Sequence, residues 1–388
     1  MTHSPLTRLQ KFRLLSLIPL YFMIVGLFLQ PIKEILPGLW TLIREPDFLI
    51  TDYFLVGGIG TSFINAGLLT LLCIWTIYFL DMEMDGHTIT SSCLMFGFSL
   101  FGKNLLNIWA ILLGVYLYSH YHKKHMSSYI YIGFYGTSLS PIITQIMYIS
   151  HLPYAVRLIT SLAVGLIIGF VLPPLSTHVH YSHKGYSLYN VGFSAGIIAT
   201  VVVSVLKSFG ITTESRLIWS EGNNQLLFAI LCGLFAVMIL AAFLFGGKEV
   251  SASYRNILSC SGIGGTDYLR DNGGAATILN MAINGLFATI FVLGVGGELN
   301  GPTIGGIFTI VGFSATGKHR PDHVRRAFRK LYKALDHQFS VTDPCTFIFD
   351  DTGADCRGIR SLHGASRRFS SLLCRLKCRN CVWRHEFI

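Results

Sequence analysis

The chain has 388 residues, of which 52% are hydrophobic and only 13% are charged, and its formal net charge is +10. A water-soluble protein of this size needs more charged side chains to cover its surface, so the bilayer must be the solvent for most of the chain. The positive charge does not indicate nucleic-acid binding, because residues 319–388 hold 14 of the 30 Lys and Arg residues but only 7 of the 20 Asp and Glu residues. We therefore predict an all-α, polytopic membrane protein whose partner is the lipid bilayer and which binds no nucleic acid.

Apolar runs long enough to be membrane spans recur along the chain. They lie at about 14–30, 55–80, 105–119, 127–148, 154–173, 187–208, 225–246 and 275–296. The first run follows Arg8, Lys11 and Arg13 but lacks a small-x-small cleavage site. We therefore predict a retained first helix and not a signal peptide.

The segment 51–103 recurs at 266–318 without a gap, at a constant offset of 215 residues. Most shared positions carry Gly, a small hydroxyl, an acid, an amide or Lys, residue types that shape a site more often than they fill a bilayer. The shared positions are Thr51/Thr266, Asp52/Asp267, Tyr53/Tyr268, Gly58/Gly273, Asn65/Asn280, Leu71/Leu286, Glu83/Glu298, Gly86/Gly301, Thr88/Thr303, Ile89/Ile304, Gly97/Gly312, Phe98/Phe313, Ser99/Ser314, Gly102/Gly317 and Lys103/Lys318. An internal duplication in a hydrophobic chain is typical of secondary transporters and channels.

The repeat predicts the organisation of the chain. We expect an N-terminal helix and interfacial segment (1–50), a first membrane repeat (51–210), a connecting span and loop (211–265), the start of an incomplete second repeat (266–318) and a basic tail (319–388). If residues 88–102 cross the membrane, seven crossings separate the two copies, and the second copy is inverted. If they form a re-entrant loop, the copies are parallel. The positive-inside rule favours the inverted arrangement with the N-terminus inside, because the alternative places Lys123 and Lys124 outside.

Both copies share the pattern Glu-x-[Asp/Asn]-Gly-x-Thr-Ile, followed by Gly-Phe-Ser-x-x-Gly-Lys, at 83–103 and 298–318. The pattern predicts a chain break that leads into a new helix, which Thr or Asn can cap and for which Pro302 suits the first turn. A helix N-terminus at membrane depth presents free N–H groups and a positive dipole end to a solute. Helix packing is the competing interpretation of the Gly and Ser positions, whereas an acid near the membrane interior is costly unless it is used.

These motifs give a set of candidate residues that line a route for a solute. A second polar stretch, residues 183–196, adds a Tyr-Asn pair that could line a pore, although a capped, Gly-packed helix explains it equally well. The candidates are Asn65, Glu83, Asp85, Thr88, Ser99, Lys103, Asn190, Ser194, Asn280, Glu298, Asn300, Thr303, Ser314 and Lys318.

Other motifs indicate no enzyme, cofactor or metal site. The His-rich stretches 120–125 and 178–183 lack the helical His pair with an intervening acid that a zinc hydrolase shows. The chain has no phosphate-binding loop or dinucleotide fingerprint. The four cysteines before residue 319 show no pairing pattern. We therefore predict movement of a small polar solute or ion, with an intramembrane enzyme, a membrane scaffold or an inactive truncated product as alternatives. A homo-oligomer is compatible with the sequence.

The hydrophobic pattern stops after Lys318, in the middle of the second copy. One interpretation of residues 319–388 is a cytoplasmic or zinc-binding tail, since Cys374, Cys378 and Cys381 are loosely metal-like. The other is a lost reading frame, because codons read one nucleotide late permit a sequence like that of 110–118 and 137–142 in the first copy. We expect the tail to be out of frame and the product to be inactive alone.

The motifs resemble those of a bacterial family of multi-pass membrane proteins, the domain of unknown function 1576. The resemblance covers about 1–318 and rests on the segments 85–89, 97–104, 113–116, 140–142, 186–196 and 300–304. It implies a multi-pass protein of the bacterial inner membrane with a repeat fold, and no particular activity. Members of the family continue with a full second half, which this chain is expected to lack.

Overall fold

A computed structural model of the chain describes residues 6–47, 50–148, 153–183, 189–209, 217–260 and 266–316. The predicted tail and Lys318 lie outside these residues. The helices in chain order are α1 (Arg8–Leu29), α2 (Ile32–Arg44), α3 (Tyr53–Gly57), α4 (Ile59–Phe79), α5 (Gly86–Phe98), α6 (Trp109–Tyr121), α7 (Ile130–Gly136), α8 (Ser140–Met147), α9 (Tyr154–His183), α10 (Asn190–Ser208), α11 (Asn224–Gly246), α12 (Glu249–Ser259), α13 (Tyr268–Asn272), α14 (Gly274–Gly294) and α15 (Gly301–Phe313).

The all-α, polytopic class is confirmed. Six helices, α1, α4, α9, α10, α11 and α14, are long and apolar enough to span a bilayer, which takes about 20 residues. They correspond to six of the eight predicted runs. Two short parallel strands, β1 (Ile50–Thr51) and β2 (Leu217–Ile218), tie the start of the first copy to the segment before α11.

The two remaining predicted spans differ from the prediction. The run at 105–119 becomes α6, a helix of 13 residues. The run at 127–148 is divided into α7, a 3₁₀ turn at Thr137–Leu139, and α8. Pro141 explains the division, because it lies in the first turn of α8, has no N–H to donate and cannot continue the helix from α7.

Helices α1 and α4 pack antiparallel, and side chains fix both ends of the pair. The Arg8 guanidinium contacts Asp81 Oδ1 at 2.7 Å and the Tyr78 carbonyl oxygen at 2.6 Å. At the other end, the Gln30 amide accepts from the Thr61 N–H at 2.9 Å. A Cβ atom on Gly60 would lie 2.5 Å from the α1 backbone, so only glycine permits this approach.

The short helices α5 and α15 form an antiparallel pair, which is called the central pair below. Gly97 near the end of α5 lies against Gly305 near the start of α15, where a Cβ atom on Gly97 would be 2.8 Å from the Gly305 carbonyl oxygen. Near the other end, the Thr90 hydroxyl donates to the Gly312 carbonyl at 2.9 Å. Small residues therefore allow backbone contact along the whole pair. Aromatic side chains, including Phe96 and Phe308 with ring centroids 4.6 Å apart, fill the adjoining core.

Segments 51–103 and 266–316, which share residues at the 215-residue offset, also share local backbone features at the start of α4 and α14. Gly58 and Gly273 both have positive φ angles, +89° and +82°, at the start of α4 and α14. The Ser62 hydroxyl donates to the Gly58 carbonyl, and the Thr277 hydroxyl donates to the Gly273 carbonyl. Each pair of positions differs by 215 residues. At the start of each long helix, a glycine with a positive φ angle changes the direction of the chain.

Candidate functional site

Each short helix of the central pair begins with a capping box. In α5, Asp85 Oδ1 accepts from the Thr88 N–H at 2.8 Å, and the Thr88 hydroxyl accepts from the Asp85 N–H at 3.3 Å. In α15, Asn300 Oδ1 accepts from the Thr303 N–H at 3.1 Å, and the Thr303 hydroxyl accepts from the Asn300 N–H at 2.8 Å. The reciprocal bonds satisfy two of the free N–H groups of a helix start. The sequence motif thus produces two stable helix N-termini.

An aspartate from the other copy holds the first N–H group of each short helix. Asp52 accepts from the Gly301 N–H at 3.1 Å, and Asp267 accepts from the Gly86 N–H at 2.9 Å. A Cβ atom on Gly301 would lie 2.5 Å from the Leu100 carbonyl oxygen, so the start of α15 touches the chain just after α5. A negative charge at a helix N-terminus is favourable because of the helix dipole. The two copies are therefore linked at both ends of the central pair.

Asp52 is fully buried and accepts more than one backbone bond. The N–H groups of Phe54 and Ser220 also donate to its carboxylate, each at 3.0 Å. Burial raises the pKa of Asp52 above its ordinary value, and these hydrogen bonds oppose that rise. The carboxylate is the point at which the start of α3, the segment after β2 and the start of α15 meet.

Asparagines on α4 and α14 satisfy carbonyl groups at the ends of the short helices. Asn65 Nδ2 donates to the carbonyls of Ser99 and Lys103, both at 2.8 Å. In the second copy, Asn280 Nδ2 donates to the Ser314 carbonyl at 2.7 Å. These buried amides close the last turn of each short helix, where carbonyl groups have no partner within the helix. The copies differ at Asn284, which donates to the Ser314 hydroxyl at 2.8 Å.

The predicted site residues fall into two groups, one at each end of the central pair. One group contains Asn65, Ser99 and Lys103 of the first copy with Asn300 and Thr303 of the second. The other contains Asp85 and Thr88 of the first copy with Asn280 and Ser314 of the second. Each group combines residues of both copies because α5 and α15 pack antiparallel, so that the start of each helix lies beside the end of the other.

The remaining predicted residues lie elsewhere. Glu83 is exposed in the loop before α5. Glu298 is half-buried, and its carboxylate accepts from the Gly222 N–H at 3.1 Å. Ser194 is buried and donates to the Asn190 carbonyl inside α10. Asn190 lies in the wall of a cavity beside the central pair.

Lys103 is buried just after α5, with 1% of its surface exposed. Its ammonium nitrogen lies 3.9 Å from Met95 Sδ and 5.1 Å from the centroid of the Phe98 ring. Among the described residues no carboxylate comes within 4 Å of it to form an ion pair. Charged side chains inside membrane proteins are costly and mark functional sites by default.

A cavity of about 870 Å³ lies beside one face of the α5–α15 pair. His87, Leu94 and Phe98 of α5, with Thr309 and Phe313 of α15, form one wall. The facing walls come from α7 and the turns on either side of it, from α9 and from the start of α10. Their polar and aromatic members are Ser128, Tyr131, Tyr135, Ser138, Ser176, Thr177, Tyr189, Asn190 and Phe193. A volume of this size is typical of small-molecule sites.

Hydrogen bonds connect the cavity wall to the start of α5. The Tyr131 hydroxyl lies 2.9 Å from Asp85 Oδ1 and 2.8 Å from the Thr88 hydroxyl. The other carboxylate oxygen of Asp85 is 3.8 Å from the Arg270 guanidinium. The capping box of α5 is thus shared between the helix N-terminus and a residue that lines the cavity.

The sequence prediction did not include the residues that connect the copies or most of the cavity. Asp52 and Asp267 could have been found, because they are repeated at the 215-residue offset and lie just before a helix start. Phe98 and Phe313 could also have been found, because they too are repeated at the 215-residue offset. Tyr131 and Tyr135 lie one helical turn apart on α7, but that spacing occurs in any packed helix and predicts no cavity.

Comparison with known proteins identifies the chain only at the level of its family. No match was found among curated proteins or among solved structures. A family profile described as "Protein of unknown function (DUF1576)" matches residues 32–208 and 247–324, which is most of the chain. These two stretches contain α5, α15 and both capping aspartates, Asp52 and Asp267. The chain belongs to the DUF1576 family.

Proposed function

We propose that this protein moves a small polar solute across the membrane, along a route that includes the cavity beside α5 and α15. The proposal is for movement of the solute and not for its chemical conversion. The observation that carries it is the pair of short, capped helices that meet antiparallel beside a cavity of about 870 Å³. Short helices that begin inside the bilayer are the usual way in which transporters present helix N-termini to a solute.

We infer that residues 51–103 and 266–316 are inverted copies around a pseudo-two-fold axis. The inference is supported by contacts that recur at the 215-residue offset, both within each copy and between the two copies. Tyr53 N–H donates to the Leu100 carbonyl at 3.1 Å, and Tyr268 N–H donates to the Ala315 carbonyl at 3.1 Å. The capping bonds run between the copies, from Asp52 to α15 and from Asp267 to α5, and so recur with the two copies exchanged. Inverted repeats commonly place the solute site at the interface between the copies.

Non-helical backbone and a buried charge are both costly in lipid, and their presence supports a transport role over a purely structural one. An unsatisfied backbone group in the hydrocarbon core costs several kcal/mol, so non-helical backbone is tolerated where protein buries it or where it lines a water-filled cavity. The chain between α5 and α6 is non-helical, and it holds the buried cation Lys103. A membrane scaffold would require neither feature.

A flux assay tests the proposal. The 388-residue chain and a version with its reading frame restored after Lys318 are purified and reconstituted in liposomes. Uptake of radiolabelled uridine, D-glucose, glycerol, choline and sodium is compared with uptake by protein-free liposomes. Saturable uptake of at least one solute supports the proposal. Uptake at the protein-free level for all of them by both versions, from liposomes shown to contain folded protein, contradicts it.

Two neighbouring glycines of α15 give a matched pair of variants. A Cβ atom on Gly305 would lie 2.9 Å from the Gly97 carbonyl oxygen and 2.5 Å from the Phe101 ring, whereas a Cβ atom on Gly306 would meet nothing within 4 Å. Gly305→Ala should therefore separate α15 from α5 and reduce uptake by about tenfold, since overpacking costs about 1–3 kcal/mol. Gly306→Ala should leave uptake unchanged. Equal uptake by the two variants would show that the helix pair is not on the route.

A further inference from the structure

We propose that the cavity beside α5 and α15 binds a neutral polar solute with a flat ring face, of the nucleobase or nucleoside class. This inference rests on the proposed function, because it names the class of solute that the same route would carry. It is argued from the rings, the polar groups and the charges around the cavity.

Aromatic rings form much of the cavity wall. Phe98 and Phe313 come from the central pair, Tyr131 and Tyr135 from α7, and Tyr189 precedes α10. The Phe313 ring centroid lies 4.7 Å from that of Tyr189 and 6.4 Å from that of Tyr135, so these three rings form one continuous aromatic surface. Aromatic surfaces of this kind favour ligands that can stack a flat face against them. Stacking of a base on an aromatic side chain contributes about 1–3 kcal/mol.

Apart from the imidazole of His87, the polar groups of the wall are neutral hydrogen-bonding groups. Hydroxyls of Ser138, Ser176, Thr177 and Thr309 line the cavity, and hydroxyls both donate and accept. The hydroxyl oxygen of Tyr135 is buried and has no hydrogen-bond partner among the described residues. A buried hydroxyl without a partner costs about 1–3 kcal/mol, so a ligand that supplies an acceptor or donor there gains affinity. Ring nitrogens and exocyclic oxygens of a nucleobase have this capacity.

The charges near the cavity disfavour an ion. No Asp, Glu, Lys or Arg is among the described residues that line it. The Asp85 carboxylate, which contacts the lining residue Tyr131, already accepts from the Thr88 N–H and the Tyr131 hydroxyl and lies 3.8 Å from Arg270. On the other side, the Lys103 ammonium lies 5.1 Å from the Phe98 ring, which disfavours a second cation against that ring. An ion that enters a cavity without a counter-charge loses its hydration without compensation.

Equilibrium binding tests the inference separately from transport. The purified 388-residue chain in detergent is titrated with uridine, adenine, D-glucose, choline and acetate by isothermal titration calorimetry. We expect saturable binding of uridine or adenine, and no saturable binding of choline or acetate. Saturable binding of choline or acetate, or binding of D-glucose without uridine or adenine, overturns the inference, as does absence of binding by all five probes.

Two variants test whether the binding occurs in this cavity. Tyr135→Phe keeps the ring and removes the hydroxyl, and Phe313→Leu removes a stacking surface while it stays apolar. Each should weaken nucleobase binding by about fivefold or more, and Tyr116→Phe on the exposed face of α6 should not weaken it. If Tyr135→Phe does not fold, Phe313→Leu decides, and unchanged affinity in a folded variant overturns the assignment. Binding without flux would contradict the proposed function alone, and flux of ions without nucleobase binding would contradict this inference alone.

Discussion

The carboxylate of Asp52 accepts a hydrogen bond from the backbone N–H of Gly301, a residue 249 positions later in the chain, at 3.1 Å. Its counterpart is the bond from the Gly86 N–H to Asp267 at 2.9 Å, which spans 181 positions in the opposite sense. Each aspartate lies before the long helix of its own copy and caps the short helix of the other copy. The two bonds make the copies dependent on each other, because the helix dipole of one is stabilised by a charge from the other.

Asp52→Ala should destabilise the protein more than Asp267→Ala does. Both carboxylates accept from three backbone N–H groups, but Asp52 is fully buried whereas the Asp267 side chain is 20% exposed. Hydrogen bonds to a charged group contribute about 1.5–3 kcal/mol each, and water can replace only those that are exposed. Thermal unfolding in detergent measures the difference, with Asp271→Ala on the exposed surface as the control. An Asp52→Ala variant that melts with the wild type would contradict the capping role.

Lys103→Met should raise the melting temperature. The ammonium is buried beside Met95 and Phe98 without a carboxylate within 4 Å among the described residues, so burial of its charge is uncompensated. A methionine of similar length removes that cost, and the gain in stability should be about 1–3 kcal/mol. Lys33→Met, at an exposed position of α2, is the control for loss of a positive charge. If Lys103→Met is less stable than the wild type, the ammonium has a partner that stabilises the fold.

Stability should depend on pH through Asp47, which lies between α2 and β1 and is 3% exposed. Its carboxylate accepts from the Tyr53 hydroxyl at 3.1 Å and the Thr144 hydroxyl at 3.0 Å, yet burial outweighs these bonds and raises its pKa to about 7. Because the folded state binds this proton more tightly than the unfolded chain, the contribution of Asp47 to stability is full below about pH 4. It is lost as the pH rises to about 7.

Asp47→Asn tests this pH dependence, because asparagine mimics the protonated carboxyl group at every pH. The difference in stability between wild type and variant should change by a few kcal/mol between pH 4 and pH 7, as measured by chemical or thermal unfolding at several pH values. A difference that is constant over this range would show that Asp47 is ionised in the folded protein at low pH.

The prediction that residues 319–388 are out of frame concerns residues outside those that the structure describes, and it stays a prediction. In the first copy Lys103 is followed by the apolar run 105–119, whereas the sequence after Lys318 is basic and polar. Restoring the frame after Lys318 should raise the yield of monodisperse protein, because an apolar span could then support α15. Size-exclusion chromatography of the two versions in detergent measures the effect. A monodisperse 388-residue chain with flux equal to that of the restored version would contradict the frame-loss interpretation.

Local rules in the sequence determined the membrane class, six of the spans and the starts of the two short helices. Asp85 and Thr88, or Asn300 and Thr303, are three residues apart, so their capping boxes form wherever the chain begins a helix there. Apolar length alone likewise specified the six long helices. The same rule was insufficient for 127–148, because one proline divides a run that is apolar throughout.

Only the tertiary structure decided which residues meet. Three features join residues from separate elements. They are the bond between Asp52 and Gly301, the contact of the Lys103 ammonium with the Phe98 ring, and the cavity wall. Such contacts depend on how glycines such as Gly97 and Gly305 let helices approach, which no local pattern specifies. Glu83 is the opposite case: its recurrence in the sequence made it a candidate site residue, but in the fold it is exposed in a loop. Hydrogen bonds within one turn follow from sequence, whereas a site shared between distant segments follows from packing.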